Sequence, residues 1–168
     1  RRSGHLGGGP ATPRARAAGR VISVDDYLVF VDEALDDMVA IVEQLGDELA
    51  SRRIDIPGSN SPYALLTHCL GVMEWWAGYL AAGRPSGRDR DWEFVASGTV
   101  AELVARTERA RSQLHADASA ADLGAPLRIA PPDPEDLKLP LGRTQGGALF
   151  HTDEELAQHR GQMEVSRD

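Results

Sequence analysis

A chain of 168 residues that is 42% hydrophobic is the size of one domain with a core of its own, which leaves little room for two. No apolar run approaches the ~20 residues of a membrane span, no stretch has the order of a secretory signal, and the single cysteine, Cys69, lacks an intramolecular disulfide partner. The formal net charge of −8 is unevenly placed, because residues 1–20 carry five arginines and no acid, leaving 13 basic against 26 acidic side chains, or −13, for the remainder. So acidic a body repels a phosphate backbone, so nucleic acid is not an expected partner, nor is a membrane, and the expected address is a reducing cytoplasm.

In chain order, residues 1–20 are rich in Gly, Pro and Arg with almost nothing to bury, and read as a flexible basic extension preceding a domain over 21–168. Ser23 with Asp26 forms a capping-box pattern that opens a first helix running to about Ala50. Its apolar positions Leu28, Val31, Leu35, Met38, Val42, Leu45 and Leu49 alternate steps of three and four, a stripe that faces a bundle. Ser61-Pro62 supplies the cap and first turn of a second helix, which ends near Gly83 and is apolar on most sides, so it should be the most buried. Thr99 with Glu102 opens a third, bearing Leu103, Thr107, Ala110 and Leu114 on one side. A fourth begins around 144–148 and carries Leu149, Leu156 and Met163 seven apart.

Four helices without a convincing pair of alternating strands predict an all-α fold, a four-helix bundle. The connection between helices 3 and 4, from about Ala118 to Gly142, is long enough to be a lid or pocket wall, or else a surface crossover with a short hairpin around 127–141.

The last helix contains HTDEELAQHRGQM, His151 to Met163. Residues four apart lie on one face about 6 Å apart along the axis, so Glu155 and His159 can hold one cation together, whereas His151 is about 12 Å from His159 along that axis. A third ligand must come from another helix, and LLTHCLGVMEWW in the buried second helix offers His68. A core imidazole needs partners for both ring nitrogens, and a metal is one of them. Two imidazoles, a carboxylate and an open position make a catalytic zinc set; an internally bonded core histidine facing a polar stripe is the competing reading.

SPYALLTHCLGVMEWW and HTDEELAQHRGQMEVSRD resemble the DinB-like superfamily of metal-binding four-helix bundles, in the branch of the mycothiol-dependent maleylpyruvate isomerases and bacterial thiol S-transferases. The resemblance covers residues 21–168 and, through that branch's pattern of one helix-2 histidine plus Glu-x-x-x-His on the last helix, implies His68, Glu155 and His159 as metal ligands; many other DinB-like bundles have histidine where Glu155 stands, which favours this branch. Two departures concern the surroundings of the ions in such proteins: Gln162 stands where relatives often have a further histidine, and Met73 where they often have a glutamate.

The implied activity is that of a metal-dependent transferase or isomerase, with zinc or nickel as the cation and mycothiol or another small thiol as cosubstrate, acting on small electrophiles. A metal-dependent hydrolase and a non-catalytic metal-binding bundle are the alternatives. His151, Gln162 and Trp76 are candidates for the pocket around the metal, with a solvated or capping role the plainer expectation for His151. Cys69 is expected to be a small buried hydrophobe, and His5 and His115 stand in no constellation. Trp75 and Trp92 could line a pocket or simply pack, while Arg160 and Arg167 read as exposed helix-end charges. Homodimerisation through a helix face is compatible with such bundles.

Overall fold

The computed structural model describes residues 22–133 and 142–168. Among these, the helices are α1 (Val24–Ala50), α2 (Pro62–Val72, prolonged by a π-helical segment, Met73–Ala81), α3 (Arg90–Glu93), α4 (Val100–Ser119) and α5 (Gln145–Arg167). The four long ones form the expected all-α bundle, α1 packing on α4 and α5 and α2 packing on α5. The short α3, which no sequence signal had marked, packs on α2. Residues 1–20 and residues 134–141 of the expected hairpin lie outside the described residues.

Each long helix starts where its cap is written. Ser23 and Asp26 make the reciprocal pair at α1, Thr99 and Glu102 at α4, and the side chains of Ser61 and Thr144 accept from Ala64 and Gly147 at α2 and α5. Along α1, Val31, Leu35, Met38 and Val42 are fully buried, as their spacing requires. The stripe then loses phase, because Gly46 (φ 68°, ψ 174°) breaks the helix, which the sequence reading had taken as continuous. That backbone region is essentially confined to glycine. Beyond it Ala50 is buried while Leu49 turns outward, and Asp47 accepts the Val100 N–H at 2.7 Å, tying the kink to the start of α4.

The second helix is buried on nearly every side, including Leu65, Leu66, Leu70, Met73, Trp76 and Leu80. Leu103, Thr107 and Leu114 of α4 and Leu149, Leu156 and Met163 of α5 complete the core. The described part of the connection between α4 and α5 folds against the end of the π-helical segment. The N–H groups of Arg128 and Ile129 both bond to the Leu80 carbonyl, at 2.9 and 3.2 Å, and Leu127 and Ile129 pack with Trp76 and Leu80. One isolated antiparallel bridge, Pro126 to Thr144, is the only strand-like pairing among the described residues.

Candidate metal centre

Burial of α2 carries His68 into the core, 5% exposed, facing the outer half of α5. Its Nδ1 lies 2.8 Å from Glu93 Oε2, and a carboxylate only accepts, so Nδ1 bears a hydrogen and Nε2 is the nitrogen that faces α5. There Nε2 lies 3.4 Å from Glu155 Oε2. His159, one turn after Glu155, repeats the arrangement: its Nδ1 donates to Gln162 Oε1 at 2.9 Å and its Nε2 lies 3.3 Å from the same Glu155 oxygen. The rings of His68 and His159 meet edge to face, centroids 4.9 Å apart.

One atom from each of His68, Glu155 and His159 thus falls within 4.8 Å of the others. The two measured edges, 3.4 and 3.3 Å, are those of neighbouring ligands about 2.0 Å from a tetrahedral centre. The residues therefore fit a divalent cation, since three donor atoms face one another and the nitrogens on the far sides of both rings are already committed, so a cation would replace the hydrogens between the rings and Glu155.

The electrostatics agree. Hydrogen bonds from His159 and then His68, opposed by burial, hold the Glu155 carboxyl far below the usual carboxylate range, so it is an anion. Burial opposes a charge on His68, but hydrogen bonds to Glu155 and Glu93 outweigh it and raise its pKa.

The sequence did not disclose what stands behind His68. Glu93 is a carboxylate only 3% exposed, gripped by Arg88 Nε at 2.7 Å and Nη2 at 3.0 Å. A Cβ on Gly71 would collide with that carboxylate, so glycine at this point in α2 makes its space. Phe94 stacks on the His68 ring at 4.7 Å. Arg88, Glu93 and Phe94 lie in the link between α2 and α4, in and around the one-turn α3, which is too short for any periodicity to mark them. The apolar and aromatic signal of DWEF and the presence of a lone glycine in a buried helix were the available hints.

The remaining candidates sort by position. His151 is neither solvated nor a cap, because it packs edge-on against Trp76 with centroids 4.4 Å apart. Its Nδ1 is 3.1 Å from Glu154 Oε2 and its Nε2 3.8 Å from Glu155 Oε1, the oxygen turned away from His68. Trp76 is buried beside it, and Gln162 orients His159. Met73 is buried in the core, and the carboxylate at His68 comes from Glu93 instead. Cys69 is wholly buried, and burial pushes its thiol pKa up, so it stays protonated. His115 has a constellation after all, for its Nε2 lies 2.9 Å from Asp32 in an ion-pair group with Arg111 that joins α1 to α4. Trp75 stacks on Tyr79, Trp92 lies beneath Arg106, Arg160 bonds Asp37, and Arg167 bonds Asp168.

No helix among the described residues is long and apolar enough to cross a membrane. A family model described as mycothiol-S-transferase matches residues 27–168, most of the chain and all of the residues just described. No curated protein matches the chain.

Proposed function

The chain belongs to the mycothiol S-transferase family, and from that footing we propose that His68, Glu155 and His159 hold a divalent cation at which a small thiol, mycothiol by family, is activated for transfer to a small electrophile. The observation that supports this most is the convergence of two Nε2 atoms on one Glu155 oxygen with both Nδ1 atoms already bonded. Zinc suits a set of two imidazoles and a carboxylate, and nickel accepts the same donors. Bound there, the cation would supply the positive charge that lowers the proton affinity of a coordinated thiol.

The chain's own residues set the rest. Glu93, held by Arg88, fixes the His68 tautomer and strengthens its Nε2 as a donor, and Gln162 does the same for His159. Glu155 contributes the single negative ligand, which leaves a net positive centre with room for an anionic sulfur. His151 lies beside the second Glu155 oxygen, where it can accept a hydrogen bond from an incoming group. Trp76 and Phe94 exclude water from two sides of the histidines. In transfer, a carbon–sulfur bond forms, the leaving group departs from carbon and the thiol proton passes to solvent; an isomerase would instead add and expel the same thiol. Such thiol chemistry suits a reducing cytoplasm.

The test is elemental analysis of protein purified without a metal-chelating column, paired with the His159→Ala variant and followed by a screen of mycothiol against small electrophiles. About one equivalent of metal, lost in the variant, together with thiol-dependent turnover, is the expected result. Turnover that needs metal but no thiol would move the reading to a hydrolase. Metal with no turnover would move it to a binding bundle, and no metal in either protein after reconstitution would remove the centre itself.

A further inference from the structure

A second cavity, of about 450 Å³, lies between α2, the link through α3, and α4. Glu93 and Arg88 line it, and Glu93 also bonds His68, so this pair forms the partition between the cavity and the candidate metal centre. Its volume lies in the range of small-molecule sites.

The charges around it are not balanced once partners are assigned. Each of the four carboxylates in the wall is already engaged: Glu74 by Ser86 Oγ and the Gly87 N–H, Asp89 by the Trp92 N–H, Glu93 by Arg88 and His68, and Asp117 by Arg84 and Gln113. Two cations of the same wall are left over among the described residues. Arg106 lies over the half-exposed Trp92 ring, 5.3 Å from its centroid, and neither it nor Arg109 meets a carboxylate.

Leu70, Met73, Ala110 and Leu114 give the same cavity an apolar part, which an inorganic ion would leave uncovered. From the two guanidinium groups that no carboxylate meets, the Trp92 ring and the apolar wall, we infer that this cavity is a binding site for a small organic carboxylate, separate from the metal centre. Its carboxylate pairs with Arg106 and Arg109, for which the planar fork of guanidinium is suited, and its apolar body lies against Trp92 and the leucines.

The test uses the full chain titrated with benzoate, a planar carboxylate, and with inorganic phosphate, followed by calorimetry and by amide spectra. Saturable benzoate binding should weaken roughly tenfold or more when Arg106→Ala and Arg109→Ala are combined, the loss of charge-assisted hydrogen bonds. It should stay unchanged in His159→Ala. Arg106 is half-buried and Arg109 exposed, and neither belongs to the core, so their removal leaves the core intact. Absence of benzoate binding, equal affinity in the double arginine variant, or loss in His159→Ala, which would place the ligand at the metal centre, each overturns the inference. Phosphate binding as tightly as benzoate would overturn its organic part.

Discussion

Glu93 Oε2 lies 2.8 Å from His68 Nδ1, and Arg88 grips the same carboxylate, its Nε donating to Oε1 at 2.7 Å and its Nη2 to Oε2 at 3.0 Å. Arg88, Glu93 and His68 therefore form a chain that ends on Nε2, the atom aimed at Glu155. Because the carboxylate is buried, its effect on the imidazole is little screened by solvent.

Glu93→Gln removes the charge while keeping an acceptor, and metal affinity measured by chelator competition should drop about 10- to 100-fold, the usual effect of losing such a partner. Gly71→Ala reaches the same place by another route, since its methyl group collides with the Glu93 carboxylate. Both variants should keep their helical circular dichroism. Wild-type affinity in the two together would mean that Glu93 has no influence on the centre.

Loss of a ligand should be more severe than loss of its support. His68→Ala and His159→Ala are each expected to abolish stoichiometric metal while leaving the helices folded, because the core is built from Leu35, Leu66, Leu103 and Leu156 rather than from the centre. Glu155→Gln should weaken binding by removing the negative ligand. Glu154→Gln, at an exposed position that touches His151 and Gln158, should change it little. Equal losses in the last two would contradict the convergence on Glu155.

What the sequence could and could not disclose follows from how far apart the interacting residues are. Ser23 with Asp26 and Thr99 with Glu102 are local pairs, and Leu28 to Val42 is a local period, so helix starts and the core stripe were legible. Glu155 and His159 are also local, four residues apart on α5, and His68 stood out because an imidazole was surrounded by leucines. Glu93 was not legible, because a carboxylate in an irregular link reads as solvated until the fold buries it against a residue 25 positions earlier. The change of phase at Gly46 and the π-helical turn of Met73–Ala81 were hidden for a related reason: a stripe predicts burial only while the helix keeps its regular turn.

Gly46 can be tested against a control in the same chain. Its φ of 68° with ψ of 174° is a conformation that a side chain resists, although no atom stands within 4 Å of where a Cβ would be. Gly46→Ala should therefore cost roughly 1–3 kcal/mol from the backbone alone. Gly161 lies inside α5 with equally open surroundings and an ordinary φ, so Gly161→Ala should stabilise by about 0.5–1 kcal/mol. Urea midpoints moving in opposite directions would verify that the kink is a property of the backbone at Gly46. A Gly46→Ala protein as stable as wild type would mean that α1 runs straight through it.

Without metal, His68 and Glu155 favour their charged forms, which gives the stripped protein a signature in pH. Burial opposes a charge on His68, yet its contacts with Glu155 and Glu93 raise it above its ordinary value of 6.5, and hydrogen bonds from His159 and His68 keep Glu155 below 4.5. A group raised on folding adds stability that is complete below its unfolded value and is lost as pH rises through its folded value; a lowered group adds stability that is complete above its unfolded value and is lost as pH falls. Both contributions coexist between those two ordinary values, and the His68 share disappears on the alkaline side. Metal-stripped protein should then show a lower urea midpoint at about pH 8 than at about pH 5.5, and His68→Gln should flatten that difference. Added zinc should reverse the slope, because a cation held by His68 Nε2 competes with its proton and binds better as that proton leaves. A stripped protein whose midpoint falls equally with and without His68 would show that the proton is held elsewhere.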